Sequence, residues 1–524
     1  MSRRPSFILF VTDQHRADFL GCYGHPVLRT PNIDALARRG TAFDRFYVAS
    51  PVCMPNRASL MTCRMPANHG VRMNGIPLAK RNVTFVELLR DAGYKTALIG
   101  KSHLQTFTGA PPTQKQPVAR SNFHKASGEL SEAVRHDLHD QIYKVEEADF
   151  WSGPVPRVPT PFYGFDHVEL VTGHGDHIGG DYTAWLLERC PDAANLIGKG
   201  NQLPHDYVCP QAVRTAIPAE LYSTSYIAER AEKWLEAQAD TDQPFFLMVS
   251  WPDPHHPFNP PGKYWDMYDP SDFPDPLAFS QNDWRPPPHV QGVIDAREAG
   301  HAVLNGMNAV GCSAREAQEA QALTCGMITM IDDAVGRVRR ALELSERSKD
   351  TIEVFTTDHG DHLGDHKLLF KGAEQYEQIT RVPFIWADPE REHGPRSDTI
   401  GQTHDIGTTI LDRSSVETAW GMQGLDLFGP ESRKGAFIQY AHQRPMDALN
   451  IAPHVHSFRD RRYRLSLFEG VDWGELYDLE TDPGELKNLW DDPCASAEKA
   501  RLLEALVRAE LAHVDQTPWP TGRA

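Results

Sequence analysis

The sequence predicts an α/β protein: a central, mostly parallel sheet flanked by helices, with a smaller antiparallel sheet near the C-terminus. Three observations predict it. Short, nearly continuous apolar runs (FILFV, KTALIG, FFLMVSW, IEVFTT, VPFIWA) read as strands buried on both faces. Segments with apolar residues at helical spacing separate these runs, the alternation that lays strands parallel. Beyond about residue 430 the pattern changes to short alternating segments such as YRLSLFE and GELYDLE, as in an antiparallel sheet with one wet face.

The first strand is expected at 7–11, extended by Thr12. The preceding Arg3-Arg4 superficially suggests a twin-arginine signal, but the apolar run is short and meets Asp13 and Arg16 at once. An amphipathic helix at 83–93 precedes a strand at 95–100. Residues 105–215, with scattered Pro, Gly and His and little periodicity, read as an insertion or lid. A helix is expected over 225–238, a strand at 245–251, and a long rigid loop over the proline- and aromatic-rich 252–290. A long helix follows at 316–347, where Met327, Met330, Ile331, Val335 and Val338 keep helical spacing. Strands at 352–357 and 382–387 complete a domain of residues 1–429. Residues 430–524 form a second unit of small sheet, helix (495–513) and tail. The tail, DQTPWPTGRA, carries a Trp between prolines with no evident intrachain partner, so docking on a neighbouring subunit of a homo-oligomer is expected.

The 524 residues include 53 Lys+Arg against 71 Asp+Glu, a net charge of −18. Such a surface repels nucleic acid, and no basic block interleaved with aromatics stands out. No apolar stretch approaches the ~20 residues of a membrane span. Eight cysteines lie scattered without CxxC pairs, which fits a reduced, cytoplasmic setting. An anionic substrate would need a locally positive pocket.

In open parallel sheets ligands gather beyond the carboxyl ends of the strands. Two runs deliver metal-ligating groups there: FILFVT leads into Asp13-Gln14, and IEVFTT into Asp358-His359. Either pair alone also suits a strand-end turn or a helix cap. Neighbouring strands would bring both onto one divalent cation, bound by two carboxylates, an amide oxygen and an imidazole. Between them, Cys53 stands at a helix start beside Arg57. The helix dipole and that cation favour a thiolate, making Cys53 a candidate nucleophile.

Cys53-Met54-Pro55-Asn56-Arg57 matches the CxPxR signature of the sulfatase family, within the alkaline-phosphatase superfamily. VTDQ (11–14), GKSHL (100–104), PHHPF (254–258), TTDHGDHLGDH (356–366), LLFKGAEQYEQITRVPFI (368–385) and ELYDLETDPGELKNL (475–489) match in the same order. The chain thus resembles that family over most of its length except roughly 105–215 and 265–315. The resemblance implies an alkaline-phosphatase-like fold and a metal-dependent hydrolase of sulfate monoesters. It implies that a formylglycine-generating enzyme oxidises Cys53 to formylglycine, and that Asp13, Gln14, Asp358 and His359 hold the metal with the modified Cys53. Arg57 would orient the formylglycine, Lys101 and His103 flank it, His255 and Lys371 face the sulfate and leaving group, and Asn74 bind an anionic oxygen. The aldehyde hydrate offers two hydroxyls: one attacks sulfur, the other then loses a proton so that the adduct collapses and expels sulfate. The metal lowers the nucleophile's pKa and, with Lys101, Lys371 and Arg57, balances charge on the transferring group. His255 would serve as general acid or anion donor, and His103 as base for the collapse.

Three departures stand out. Most sulfatases carry an aspartate where Gln14 stands and an asparagine where His359 stands. The Asp-Gln and Asp-His pairs resemble phosphonate monoester hydrolases and related arylsulfatases, so hydrolysis of phosphonate monoesters or phosphodiesters at the same site is the alternative. Cys63 replaces a glycine common after the signature. A binding protein that kept the fold and lost the chemistry would show broken ligand positions, and none is broken. The mixed oxygen and nitrogen donors favour Mn2+ over Ca2+ or Zn2+. The aromatics Phe150, Trp151, Tyr163, Trp251, Tyr264 and Trp265 are compatible with an aryl leaving group, and equally with packing.

Overall fold

The computed structural model describes residues 4–113, 122–124, 138, 140–152, 157–281, 283–391, 394–443 and 452–523. Part of the stretch expected as an insertion, at 114–121, 125–137, 139 and 153–156, lies outside the described residues.

The strands in chain order are β1 Ser6–Thr12, β2 Thr41–Tyr47, β3 Lys95–Gly100, β4 His167–Thr172, β5 Gly179–Gly180, β6 Phe245–Ser250, β7 Val310–Gly311, β8 Thr351–Thr357, β9 Leu368–Leu369, β10 Phe384–Ala387, β11 Arg396–Gln402, β12 Ala436–Ala441, β13 His454–Arg459, β14 Tyr463–Phe468 and β15 Gly474–Asp478. Among the described residues the central sheet has nine strands in the order β11-β2-β10-β8-β1-β6-β3-β4-β5. Its middle, β8-β1-β6-β3-β4, is parallel throughout. Every residue of β1, β6 and β8 is buried, as their unbroken apolar runs require.

The strand expected at 382–387 is present as β10 but runs antiparallel to both β8 and β2. Besides the two-residue β5, three sheet strands escaped the apolar-run criterion. β2 (TAFDRFY) is interrupted by Asp44-Arg45, and β11 (RSDTIGQ) is a half-exposed edge strand. The third, β4, lies within 105–215 and is followed by a helix at Asp181–Arg189. Part of that stretch therefore belongs to the central sheet.

The long helix spans Ala314–Leu344. It starts at Ser313, whose hydroxyl accepts from the Glu316 amide while the Glu316 carboxylate accepts from the Ser313 amide. The helix at Ser223–Glu236 packs beside it. The second sheet is an antiparallel meander, β12-β13-β14-β15. Helix Ser496–Ala512 covers it by seating Leu502 and Leu506 against Phe437, Phe458, Leu465 and Leu476.

The tail has a partner within its own chain, contrary to expectation. Trp519 meets Trp420 edge to face at 4.3 Å, the Trp420 indole donates to the Gln516 carbonyl, and Arg64 pairs with Asp515 at 2.8 Å. This removes the ground for expecting a second subunit there. Of the aromatics compatible with an aryl leaving group, Trp251 stacks on Phe10, Tyr163, Tyr264 and Trp265 are buried in apolar clusters, and Phe150 and Trp151 are half-buried.

Candidate active site

Strand order builds the site. β1 lies between β6 and β8, with Val11 opposite Ser250 and Thr12 opposite Thr357. The residues that follow these three strands therefore emerge side by side. The Asp358 amide donates to the Thr12 carbonyl at 3.3 Å, and the Asp13 amide to the Asp253 carbonyl at 3.1 Å. From the next strand, the Lys101 amide donates to the Ser250 carbonyl at 2.8 Å. This approach needs glycine at 100: its φ is +113°, and a Cβ would collide with the Ser250 carbonyl oxygen. Gln14 and His103 hold left-handed conformations (φ 61° and 56°), which turn the chain sharply as it leaves β1 and β3.

The helix Cys53–Thr62 begins at the cysteine itself. Pro55 lies in its first turn, where no intrahelical N–H bond is lost. Arg57 is one turn on, on the same face. Cys63 ends the helix at φ 55°, the left-handed position where glycine is commonest, so the glycine replaced there is one of backbone geometry. The Asn74 Oδ1 accepts from the Met54 amide at 3.1 Å. Asn74 is thereby held beside Cys53 as a cap on this helix, the side-chain contact the described geometry gives it.

Asp13, Cys53, Asp358 and His359 are all buried, and their donor atoms lie within 4.8 Å of one another. The His359 Nδ1 faces the Gly360 carbonyl at 2.9 Å, so that nitrogen carries the proton and the Nε2 lone pair points into the cluster, 3.1 Å from the Cys53 Sγ. Burial and the nearby Lys371 lower the His359 pKa to about 4, keeping the ring neutral as a ligand must be. Burial alone would raise the Asp13 pKa, but Lys101, Arg57, His174 and His359 hold it well below the usual carboxylate range. Two carboxylates and a neutral imidazole fit a divalent cation. Gln14 lies beside this group, with its amide oxygen held by the Lys371 ammonium at 2.6 Å.

Cations surround the cluster. Arg57 reaches Asp358 at 2.7 Å and Asp13 at 3.7 Å, and donates to the Lys101 carbonyl and the Ser250 hydroxyl. Lys101 is ion-paired with Asp13 and lies 2.7 Å from the His174 Nε2. Lys371 is 6% exposed and binds only the Gln14 oxygen and the His255 Nε2 at 2.9 Å; among the described residues no carboxylate lies within ion-pair reach of it. A buried ammonium without a counterion is costly, and an anion entering the site offsets that cost.

Burial dominates the electrostatics of two of these groups. Burial pushes the Cys53 thiol pKa up to about 11, outweighing the nearby Lys371. The His255 Nδ1 faces the His256 carbonyl at 2.5 Å and its Nε2 lies 2.9 Å from the Lys371 Nζ, while burial with the neighbouring His174 and Lys371 holds its pKa well below the usual imidazole range. His103, stacked on Phe107 at 3.9 Å, is also held neutral by burial and Lys101, the state a base requires.

The structure adds three residues. His174 follows β4, stacks on His255 at 3.9 Å and bonds Lys101; the strand-end rule would have found it had β4 been recognised. Glu146 accepts from the amides of His103, Leu104 and Gln105, fixing the loop that carries His103. Asp361 bonds the Gln14 amide nitrogen.

A family model described as Sulfatase matches residues 5–416, and one described as N-sulphoglucosamine sulphohydrolase, C-terminal, matches residues 364–512. An arylsulfatase of Clostridium perfringens is 28% identical over 93% of this chain and 90% of its own. The multifunctional alkaline phosphatase superfamily protein PehA of Trinickia caryophylli is 27% identical over 98% and 96%. The crystal structure of a phosphonate monoester hydrolase of Agrobacterium radiobacter matches with a TM-score of 0.73 at 25% identity, covering 98% of this chain and 97% of that one.

Proposed function

The chain belongs to the sulfatase family, and on that premise we propose that it hydrolyses sulfate monoesters with a divalent cation and a formylglycine made from Cys53. The observation that carries this is the placement of Cys53 against Asp13, Asp358 and His359, with the Lys371 ammonium beside them, bound to the Gln14 oxygen.

A cation bound there supplies positive charge that acidifies the nucleophile and takes up charge on the transferring group; Mn2+ suits the mixed donors best. Arg57 holds Asp358 and Asp13 in place and keeps the carboxylates charged. One hydroxyl of the formylglycine hydrate, its proton already released to water, attacks sulfur as the bond from sulfur to the alcohol oxygen breaks. Lys371, oriented by His255, donates to the departing oxygen. Neutral His103 then accepts the proton of the second hydroxyl, the carbon–oxygen bond to sulfate breaks, and the aldehyde re-forms and is rehydrated by water. Lys101 and His174 bind the sulfate oxygens.

The mass of the peptide containing Cys53 tests the modification, and turnover of an aryl sulfate tests the reaction. An unmodified thiol in protein that is nonetheless active would overturn the nucleophile. Chelation is expected to abolish turnover and Mn2+ to restore it; full activity in metal-free protein would refute the metal's role.

A second reading, hydrolysis of phosphonate monoesters by the same residues, is favoured by the Asp13-Gln14 and Asp358-His359 pairs and by the likeness to a phosphonate monoester hydrolase. Relative rates on matched aryl sulfate and aryl phosphonate esters separate the two.

The roles of Lys371 and His255 can be read from leaving groups. A good leaving group carries its own charge in the transition state, so their loss should cost most for poor ones. Lys371→Ala and His255→Ala are expected to steepen the dependence of rate on leaving-group pKa across substituted phenyl sulfates, losing about 10²–10³-fold on the poorest. Lines parallel to the parent's would assign both residues to sulfate binding alone.

A further inference from the structure

The Gln14 side chain is buried, and a primary amide has a donor end and an acceptor end of nearly the same shape, so its neighbours must impose its orientation. At one end stands Lys371, which can only donate, so the atom 2.6 Å from its Nζ is the amide oxygen. At the other end the NH2 group meets two acceptors, the Asp361 Oδ2 and, at 2.9 Å, the His256 Nδ1. Asp361 is itself fixed. Its Oδ1 accepts from the backbone amides of Leu363 and Phe370, both at 2.9 Å. Those amides can only donate, so Oδ2 is the atom left to face Gln14.

We propose that Asp361 is the positioning residue that orients the Gln14 amide, turning its oxygen toward the cation cluster and Lys371 and its nitrogen away. This rests on the reading of the site as a metal-dependent ester hydrolase. The Asp361 carboxylate bonds the Gln14 amide nitrogen and the Leu363 and Phe370 amides, so it acts through Gln14, and the loop 361–370 through which it is anchored leads into Lys371.

The chain of donors and acceptors makes a specific prediction. An asparagine at 361 must give its oxygen to the Leu363 and Phe370 amides, which places its NH2 against that of Gln14. Relief requires Gln14 to flip, which turns its NH2 toward the Lys371 ammonium and the cation site. A glutamate at 14 removes the conflict, because its carboxylate accepts from both the substituted amide at position 361 and Lys371, and the neutral His256 ring donates after a change of tautomer. The double exchange also keeps one carboxylate and one amide in the pair.

The test compares parent, Asp361→Asn, Gln14→Glu and the double variant by thermal unfolding, calorimetric Mn2+ binding to metal-free protein, and hydrolysis of a phenyl sulfate. Asp361→Asn is expected to bind Mn2+ about 10–100-fold more weakly and to lose a similar factor in turnover. The double variant should recover most of both losses, a favourable coupling between the two positions. An Asp361→Asn protein that binds Mn2+ as the parent does would overturn the proposal. So would a double variant no better than Asp361→Asn in folding, binding and turnover. If the parent turns over no sulfate or phosphonate ester, the reading of the site falls, while Mn2+ affinities and unfolding temperatures still decide the role of Asp361.

Discussion

The Cys53→Ala variant is expected to lose multiple turnover by at least about 10⁴-fold while folding like the parent, because removing a covalent nucleophile removes the reaction path and not a single contact on it. Cys53 is buried at the start of its helix, and truncating so small a side chain leaves Arg57, Asp13 and Asp358 paired as before. The Cys53→Ser variant separates attack from release. A serine hydroxyl can attack sulfur, but the resulting ester lacks the second hydroxyl whose deprotonation expels sulfate. Cys53→Ser should therefore show at most one slow turnover and accumulate a sulfated protein visible by mass. Sustained turnover by the alanine variant would sink the assignment.

Arg57→Ala carries the second large expected effect, on stability as well as rate. The guanidinium is 1% exposed and holds two buried carboxylates, at 2.7 Å from Asp358 and 3.7 Å from Asp13. Removing one partner of a buried ion pair leaves an uncompensated charge, at a cost of about 3–5 kcal/mol in the metal-free protein. A bound divalent cation neutralises the same carboxylates, so the deficit should shrink when Mn2+ is added. Adding Asp358→Asn to Arg57→Ala should also restore part of the lost stability, without activity. Denaturant unfolding with and without Mn2+ measures this, and an Arg57→Ala protein as stable as the parent in chelator would contradict it. Turnover should fall by about 10²-fold or more, since a preorganised charge at the reacting group is lost.

Read alone, the sequence determined the parts of this protein that are local. Strands buried on both faces announce themselves as apolar runs, and the polar pairs that end β1 and β8 follow from where each run stops, so Asp13, Gln14, Asp358 and His359 were legible without coordinates. The same holds for Cys53, Pro55 and Arg57, whose spacing is that of a single helical turn. What only the tertiary structure decided depends on neighbours remote in sequence. Strand order set β1 between β6 and β8 and reversed β10, which no periodicity encodes, since the apolar pattern of a buried strand is the same in either direction. β4 carries mixed polar and apolar residues, so the His174 beyond it went unrecognised. Burial raises the Cys53 pKa and lowers that of His255, because desolvation is set by everything packed around a group. The orientation of the Gln14 amide is of the same kind: it is settled by Lys371, His256 and Asp361, which only the folded chain brings together.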